Sequence, residues 1–547
     1  VPAKAVLIRN LVLSSEFLMS SLTHFYHLAA PSYVQGPAIP PWTPWFATVN
    51  YPVPLQNPLG TSAAPTNTEG FSDNTWSTVI RSYVTALRIR RLTFEAGALF
   101  AGRMPMTSCY IAGGVTFSGT EALADRCDKF RAITEEIAAF IVQEYVPIAL
   151  ALGAPGLANA YDNAGNGGSG YGAGVGNFLA WGAFPGTDAS GTLALPGGHW
   201  SGGAGGSLQF SAANKAEVAA QFLAGGTNAV PDNLTEDITN SHYAEYAGDT
   251  YTSGAIYPGD ASRTQPARGN GYSYIKAPRW AGLACEVGPF ARLVVAGYYP
   301  INGAALAGTV PGYTAYTKTN GSAVSGLDPK MIAADIAVAL VRDSLATLTV
   351  GTTVVDAAAL AGLTNAQIVA AYTDPEAVIT GTIATWVVGI VGGLSTVDRL
   401  RARALESLVL VQAMIGAVDK SGSSLAFGVD DTSGWIGELK FATGPTFVAK
   451  PVPVGEVQGW GAPEAPRGAL MHQCTISNGK ITKYQCIVPT TWNASPHDSG
   501  GNRGPIEQAL IGTPYAATSS SFTGQGGGTI TTQGGIEALR VSQSFDP

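Results

Sequence analysis

Charge is what this sequence has least of. Only 12% of its 547 residues are Asp, Glu, Lys or Arg, about half the usual share. The balance is acidic, with a net charge of −8. No run of Lys and Arg interrupts it, which argues against a nucleic-acid partner, since that would need a basic face. Thiols are also few. The five cysteines (Cys109, Cys127, Cys285, Cys474, Cys486) form no Cys-x-x-Cys pair and are odd in number, so they give no disulfide framework, and a reducing, intracellular setting is the default reading. The sequence has no Walker loop, no zinc-ligand spacing, no nucleophile elbow and no internal repeat. No signal peptide opens it. The expected location is therefore cytoplasmic or membrane-associated.

What is abundant is glycine, at 68 residues, and apolar side chains, at 46%. Such a chain buries a large core and has apolar surface left for a permanent partner. One uncharged, apolar stretch, VITGTIATWVVGIVGGLSTV at 378–397, is long enough to span a bilayer. Its glycines and threonines, and the lack of a positive flank, read better as a buried segment.

The first thirty residues predict one long helix, with Val6, Leu7, Leu11, Leu18, Leu22 and Phe25 at helical spacing. Pro2 suits its first turn and Pro31 ends it. Ser20, His24 and His27 form a polar stripe on that helix. Further helices are expected over about 78–101, 329–346 and 396–418, the last opened by Ser395 and Asp398. A helix over about 119–150 carries Ser118 and Glu121 as a capping-box signature. Residues 150–275 are Gly-rich with interspersed aromatics, which reads as an ordered, loop-rich excursion of short strands. Residues 515–535 look most like a linker. At 469–488, ALMHQCTIS and KITKYQCIV flank Asn478-Gly479, the strongest hairpin signal available. Closing that turn at Ser477 and Lys480 places Cys474 opposite Lys483 and Cys486 opposite Met471. The two thiols are then expected on opposite faces.

Arg467 stands between Pro466 and Gly468 in an otherwise apolar stretch. From the residues alone it reads either as a surface arginine capping a strand or as a guanidinium aimed at a buried anionic or metal-bound group. The surrounding APRGALMHQCTISNGKITKYQCIVPTTWNASPHD resembles the C-terminal signature of the large, catalytic subunit of nickel–iron hydrogenases. LIRNLVLSSEFLMSSLTHFYHL, GRMPMTSCYIAGGVT, NFLAWGAFP, NLTEDIT, YSYIKAPRW with EVGPFARLVV, and the terminal SFDP resemble other blocks of that family in the same order.

The resemblance implies a mainly α fold: a large single-domain helical bundle of the hydrogenase large-subunit type over 1–547, with the Gly-rich α+β excursion and the C-terminal hairpin. It implies heterolytic cleavage of H2, in the uptake direction, at a nickel–iron centre with cyanide and carbonyl ligands. Electrons would pass to an iron–sulfur small subunit and on to a downstream acceptor, in a higher-order oligomer of heterodimers. Arg467 would polarise H2, with Pro466 in the same wall. Thr490 would bond a cyanide, and Asp546 would orient the arginine. The Cys486 backbone carbonyl would bind magnesium. The family's four nickel-binding cysteines match none of the five here, so the expectation is a chain trimmed before Val1 and after Pro547. Ser20 stands where the family commonly has an aspartate facing the arginine. His24 and His27 are candidates for proton or structural support. Glu286, in CEVGP, reads as a structural buried acid more than a proton carrier. A metal-free structural or quinone-binding relative of the same fold is the alternative.

Overall fold

The computed structural model describes residues 1–30, 73–118, 122–151, 172–187, 193–201, 209–210, 234–241, 271–296, 299, 316–317, 323–324, 347–350, 353–356, 394–416, 418–419, 426–427, 431–451, 454–513, 520–523, 529–532 and 536–547. Among the described residues, the helices that matter are α1 (Ala3–Leu22), α2 (Asp73–Ala101), α3 (Leu123–Phe140), α4 (Pro289–Ala296), α5 (Thr396–Ile415), α6 (Gly434–Phe441), α7 (Pro489–Asn493), α8 (Pro505–Leu510) and α9 (Ile536–Ser544). The strands that matter are β1 (Asn177–Ala180), β2 (Gly198–Ser201), β3 (Leu234–Asp237), β4 (Ala277–Trp280), β5 (Glu456–Gly461), β6 (Met471–Ser477) and β7 (Lys480–Ile487).

α1 and α5 are the inner helices. α1 packs on α2, α5 and α6, and α5 also touches α3, α4 and α9. Both are buried on nearly every face, as helices at the centre of a large core must be. α1 with its continuation, Ala3–Ala29, is long and apolar enough to cross a membrane, yet most of its apolar part is buried inside the protein. It is used here as a core helix. The expected single helix over 1–30 changes pitch at Thr23, where a π-helical segment carries the chain to Ala29. Hydrophobic spacing cannot reveal that widening, because it alters the backbone bonding more than the order of apolar residues.

The Ser395 cap is as expected. Its side chain accepts from the Asp398 backbone N–H at 3.3 Å. The Ser118–Glu121 capping box does not open α3. The helix begins at Leu123 after Ala122, which has a left-handed φ of 49° and offers no cap side chain. The predicted 329–346 helix and most of the 378–397 stretch lie outside the described residues. Within 515–535, Ser520–Thr523 pairs with Thr529–Thr532, so the linker reading fails for that part: its alternating hydroxyl and apolar residues suit a ladder.

A second, smaller core joins the middle of the chain to its C-terminal quarter. Leu179, Trp181, Leu234, Trp280, Val287, Ala469, Met471, Ile487 and Trp492 are all buried in it. Trp181 meets Trp280 and Trp492 edge-on at 5.5 and 6.0 Å, a favoured aromatic geometry. Each such side chain contributes about 1.5–3 kcal/mol by leaving water. The β5–β6–β7 sheet lies over this core, with Met471, Gln473, Thr475, Gln485 and Ile487 turned inward.

The hairpin closes at Ser477 and Lys480 as expected, but its register shifts between Thr475 and Ile476. Thr475 pairs with Lys483 and Ile476 with Ile481, so Thr482 is an extra residue. Cys474 therefore faces Tyr484, and Cys486 faces His472. The two thiols share the outer face, contrary to the expectation, because one inserted residue reverses the side-chain parity beyond it. Both are free.

Candidate active site

Two of the residues singled out in the sequence, Arg467 and Asp546, meet where α9 ends against α5 and the π-helical continuation of α1. Asp546 follows the last turn of α9 with a φ of 56°, and only 3% of it is exposed. Its Oδ1 accepts from Arg467 Nε and its Oδ2 from Arg403 Nη1, each at 3.1 Å. Arg403 Nη2 also donates to the Ser544 carbonyl at 3.4 Å. A buried carboxylate is tolerable only with partners of this kind.

Arg403 is itself buried on α5, whereas 44% of the Arg467 side chain is exposed. Arg467 thus has its Nε anchored on a buried acid while much of its side chain stays exposed. Among the described residues its two terminal nitrogens make no hydrogen bond.

The loop carrying Arg467 is held from beneath by one fully buried side chain, Arg292 of α4. Arg292 pairs with both oxygens of Glu406, at 2.5 and 2.9 Å, and with Glu464 at 2.7 Å. The same guanidinium donates to the carbonyls of Ala465 and Pro466, at 2.9 and 2.8 Å. These carbonyls immediately precede Arg467. Burial opposes the charge on Arg292, but the two glutamates outweigh it and raise its pKa. Glu464 Oε1 accepts from the Trp181 backbone N–H at 2.6 Å.

Gly468 completes the fit. Its φ is 133°, and a Cβ there would lie 2.6 Å from both the Gly288 nitrogen and a Val287 side-chain carbon, closer than any real Cβ contact. The absence of a side chain at Gly468 lets the Gly288 backbone approach this closely. Asn493 of α7 then clamps Val287 from the other side, accepting from its N–H at 3.0 Å and donating to its carbonyl at 2.9 Å.

Thr490 sits in the first turn of α7, half-buried, and that helix packs against Gly468–Ala469. Its hydroxyl makes no hydrogen bond among the described residues. Pro466 lines the same loop. His24 is buried, and its Nε2 donates to the Gln543 carbonyl at 2.6 Å. Burial, together with nearby Arg403, pulls the pKa of His24 down to about 3, so it is neutral at ordinary pH. Ser20 is buried one turn before it, and makes no hydrogen bond to Arg467.

Three expected residues are not part of this cluster. His27 bonds the Tyr83 carbonyl at 3.4 Å and meets the Tyr83 ring edge-on. Glu286 is buried in a two-pronged pair with Arg399, both contacts at 2.8 Å. Its backbone also joins β1 through Asn177 and Leu179. Both carboxylate oxygens are thus engaged, which fits the structural reading. Cys486 lies on β7 beside His472, with Sγ 4.0 Å from the ring nitrogen.

Sequence reasoning gave no site role to Arg403 on α5 or to Arg292 on α4. The signal was there: arginines inside an apolar helix need buried acids.

The thiols do not fit a nickel ligand set. All five are free, and burial pushes Cys127 and Cys285 up to about 12, so neither is a thiolate at neutral pH. Among the described residues no three His, Cys, Asp or Glu side chains gather to hold a metal ion. What this chain brings to the site is a guanidinium, a carboxylate and a hydroxyl.

The family pattern described as nickel-dependent hydrogenase matches residues 71–349 and 356–547. The chain is 26% identical to the large subunit of the periplasmic [NiFeSe] hydrogenase of Desulfomicrobium baculatum, over 92% of this chain and 72% of that protein. It is also 26% identical to the uptake hydrogenase large subunit of Rhizobium leguminosarum bv. viciae, over 100% of this chain and 80% of the relative. Among solved structures, the Ni-Fe-Se hydrogenase from D. vulgaris Hildenborough in its reduced state superposes with a TM-score of 0.60 at 25% identity, covering 100% of this chain and 81% of the other.

Proposed function

The chain belongs to the nickel-dependent hydrogenase family, and from that premise we propose that it is the large subunit of an uptake-type enzyme. In this reading it oxidises H2 to protons and electrons, and an iron–sulfur small subunit takes the electrons. The observation that carries the site assignment is the pairing of half-exposed Arg467 with buried Asp546. A cation fixed in this way stabilises charge as it separates, without having to reorganise.

A nickel–iron centre, for which this chain supplies no thiolate ligands, would contribute Lewis-acid chemistry beside Arg467. Cyanide and carbonyl ligands on iron, and a magnesium ion held partly by the Cys486 carbonyl, belong to the same proposal. The chain's own contribution is to present two Arg467 N–H groups and the Thr490 hydroxyl from rigid backbone. Asp546 keeps the guanidinium in one orientation, and Pro466 closes the wall beside it.

One observation favours the alternative, a metal-free structural or quinone-binding relative: no thiol lies in the Arg467–Asp546 cluster. The deciding experiment is metal analysis and H2-dependent dye reduction on the complex purified from its natural source. Bound nickel and iron with H2 oxidation support the proposal. A folded complex with neither metal nor activity supports the alternative.

A further inference from the structure

The Gln543 carbonyl is used twice. It accepts from the Asp546 backbone N–H at 3.0 Å, which closes the turn after α9. It also accepts from His24 Nε2 at 2.6 Å, across a sequence separation of 519 residues. Because the partner is a carbonyl, the proton must sit on Nε2. The Gln543 side chain returns the contact, donating to the Leu28 carbonyl at 3.0 Å. Both links reach the π-helical segment Thr23–Ala29. That wider turn is where helix irregularities with a function often occur.

We propose that His24 is a positioning residue for the Arg467–Asp546 pair, acting through the Gln543 carbonyl. The geometry supports this in two steps. Asp546 has a left-handed φ of 56°, a conformation that residues other than glycine seldom adopt. The turn that imposes it rests on the bond from Asp546 N–H to Gln543, and His24 fixes the oxygen that accepts that bond. Moving this oxygen tilts the carboxylate away from Arg403 and Arg467, which contact its two separate oxygens at 3.1 Å. The other ring nitrogen, Nδ1, is buried and makes no hydrogen bond among the described residues, so the described polar contact of His24 is the one to Gln543. The inference rests on Arg467 and Asp546 serving the reaction as proposed above.

Glutamine and methionine match each other in length, and only glutamine offers an N–H where Nε2 stands. The test compares His24→Gln with His24→Met in the complete natural complex. It reads H2 oxidation as kcat and KM separately, with bound metal measured on the same samples. The Gln variant is expected within about threefold of the parent. The Met variant is expected to lose about tenfold or more in kcat at unchanged KM and unchanged metal content. His24→Met combined with Asp546→Asn is expected to be no worse than Asp546→Asn alone, since both act through one group. Should the Met variant not accumulate, His24→Asn, too short to reach the carbonyl, takes its place with the same expectation.

Equal activity of the Gln and Met variants, whether both high or both low, overturns the inference. So does a Met effect that adds fully to that of Asp546→Asn. If Asp546→Asn itself leaves activity unchanged, the proposed function of the pair fails first, and His24 loses its role with it.

Discussion

An exposed guanidinium and buried polar groups lie close together at this site, and that contrast makes the residue-level chemistry testable. His24 illustrates the buried side. In the folded chain its pKa is near 3, against an ordinary value of 6.5, so between those values the unfolded chain binds the extra proton. Stability is then full above pH about 6.5 and falls as the pH drops, by up to about 1.4 kcal/mol per pH unit for each such group. His199, held down to about 4 by burial, adds in the same direction. Chemical denaturation at pH 7 and pH 5 should show the loss, and His24→Gln should reduce its slope. A slope unchanged by that substitution would contradict the assignment. Glu286 makes the opposite kind of prediction. Replacing it with Gln leaves Arg399 buried without a counter-charge, at a cost of about 3–5 kcal/mol. The expected result is a marked fall in Tm, whereas a proton carrier at this position would lower activity before stability. The resemblance made Arg467 and Asp546 legible from sequence. The arginine that shares the acid, Arg403, was not legible there, because sequence does not show which way a buried guanidinium turns.

At the scale of elements, the site depends on backbone approaching backbone. Gly468 and the Val287–Gly288 segment meet where no Cβ fits. Gly468→Ala should therefore displace the Arg467 loop and destabilise the protein by about 2 kcal/mol or more, with activity falling further than stability alone explains. An alanine variant with parental Tm and kcat would show that the loop is looser than this packing implies. Helix limits were readable where a side chain marks them, as Ser395 does for α5. They were misread at α3, where Ala122 turns the chain with no polar cap. The hairpin shows the same limit. Asn478-Gly479 announced the turn, but nothing in the sequence marks Thr482 as an extra residue, so the faces of Cys474 and Cys486 came out reversed. The π-helical segment that carries His24 was hidden for a similar reason: hydrophobic spacing survives a change in helical pitch.

Across the whole molecule, three distant stretches meet at Arg292: α4 contributes the arginine, α5 contributes Glu406, and the segment before Arg467 contributes Glu464 with two carbonyls. The sequence gives no pattern for such a knot, because its members are 114 and 172 residues from Arg292. Three buried charges that share contacts should not act independently. Arg292→Met is expected to cost about 3–5 kcal/mol by stranding two glutamates. Adding Glu406→Gln and Glu464→Gln should recover part of that loss, a non-additivity measurable by denaturant titration. Simple additivity would mean that the three groups are not coupled as their contacts require. The function inferred for the molecule finally rests on the cation that this network holds in place. The most direct test is Arg467→Lys in the complete natural complex, which keeps the charge but loses the planar fork of donors. The prediction is a fall of about 100-fold or more in the kcat for H2 oxidation, with bound nickel and iron at parental levels. Parental turnover with the metals in place would contradict the account, since it would leave Arg467 without a part in the reaction.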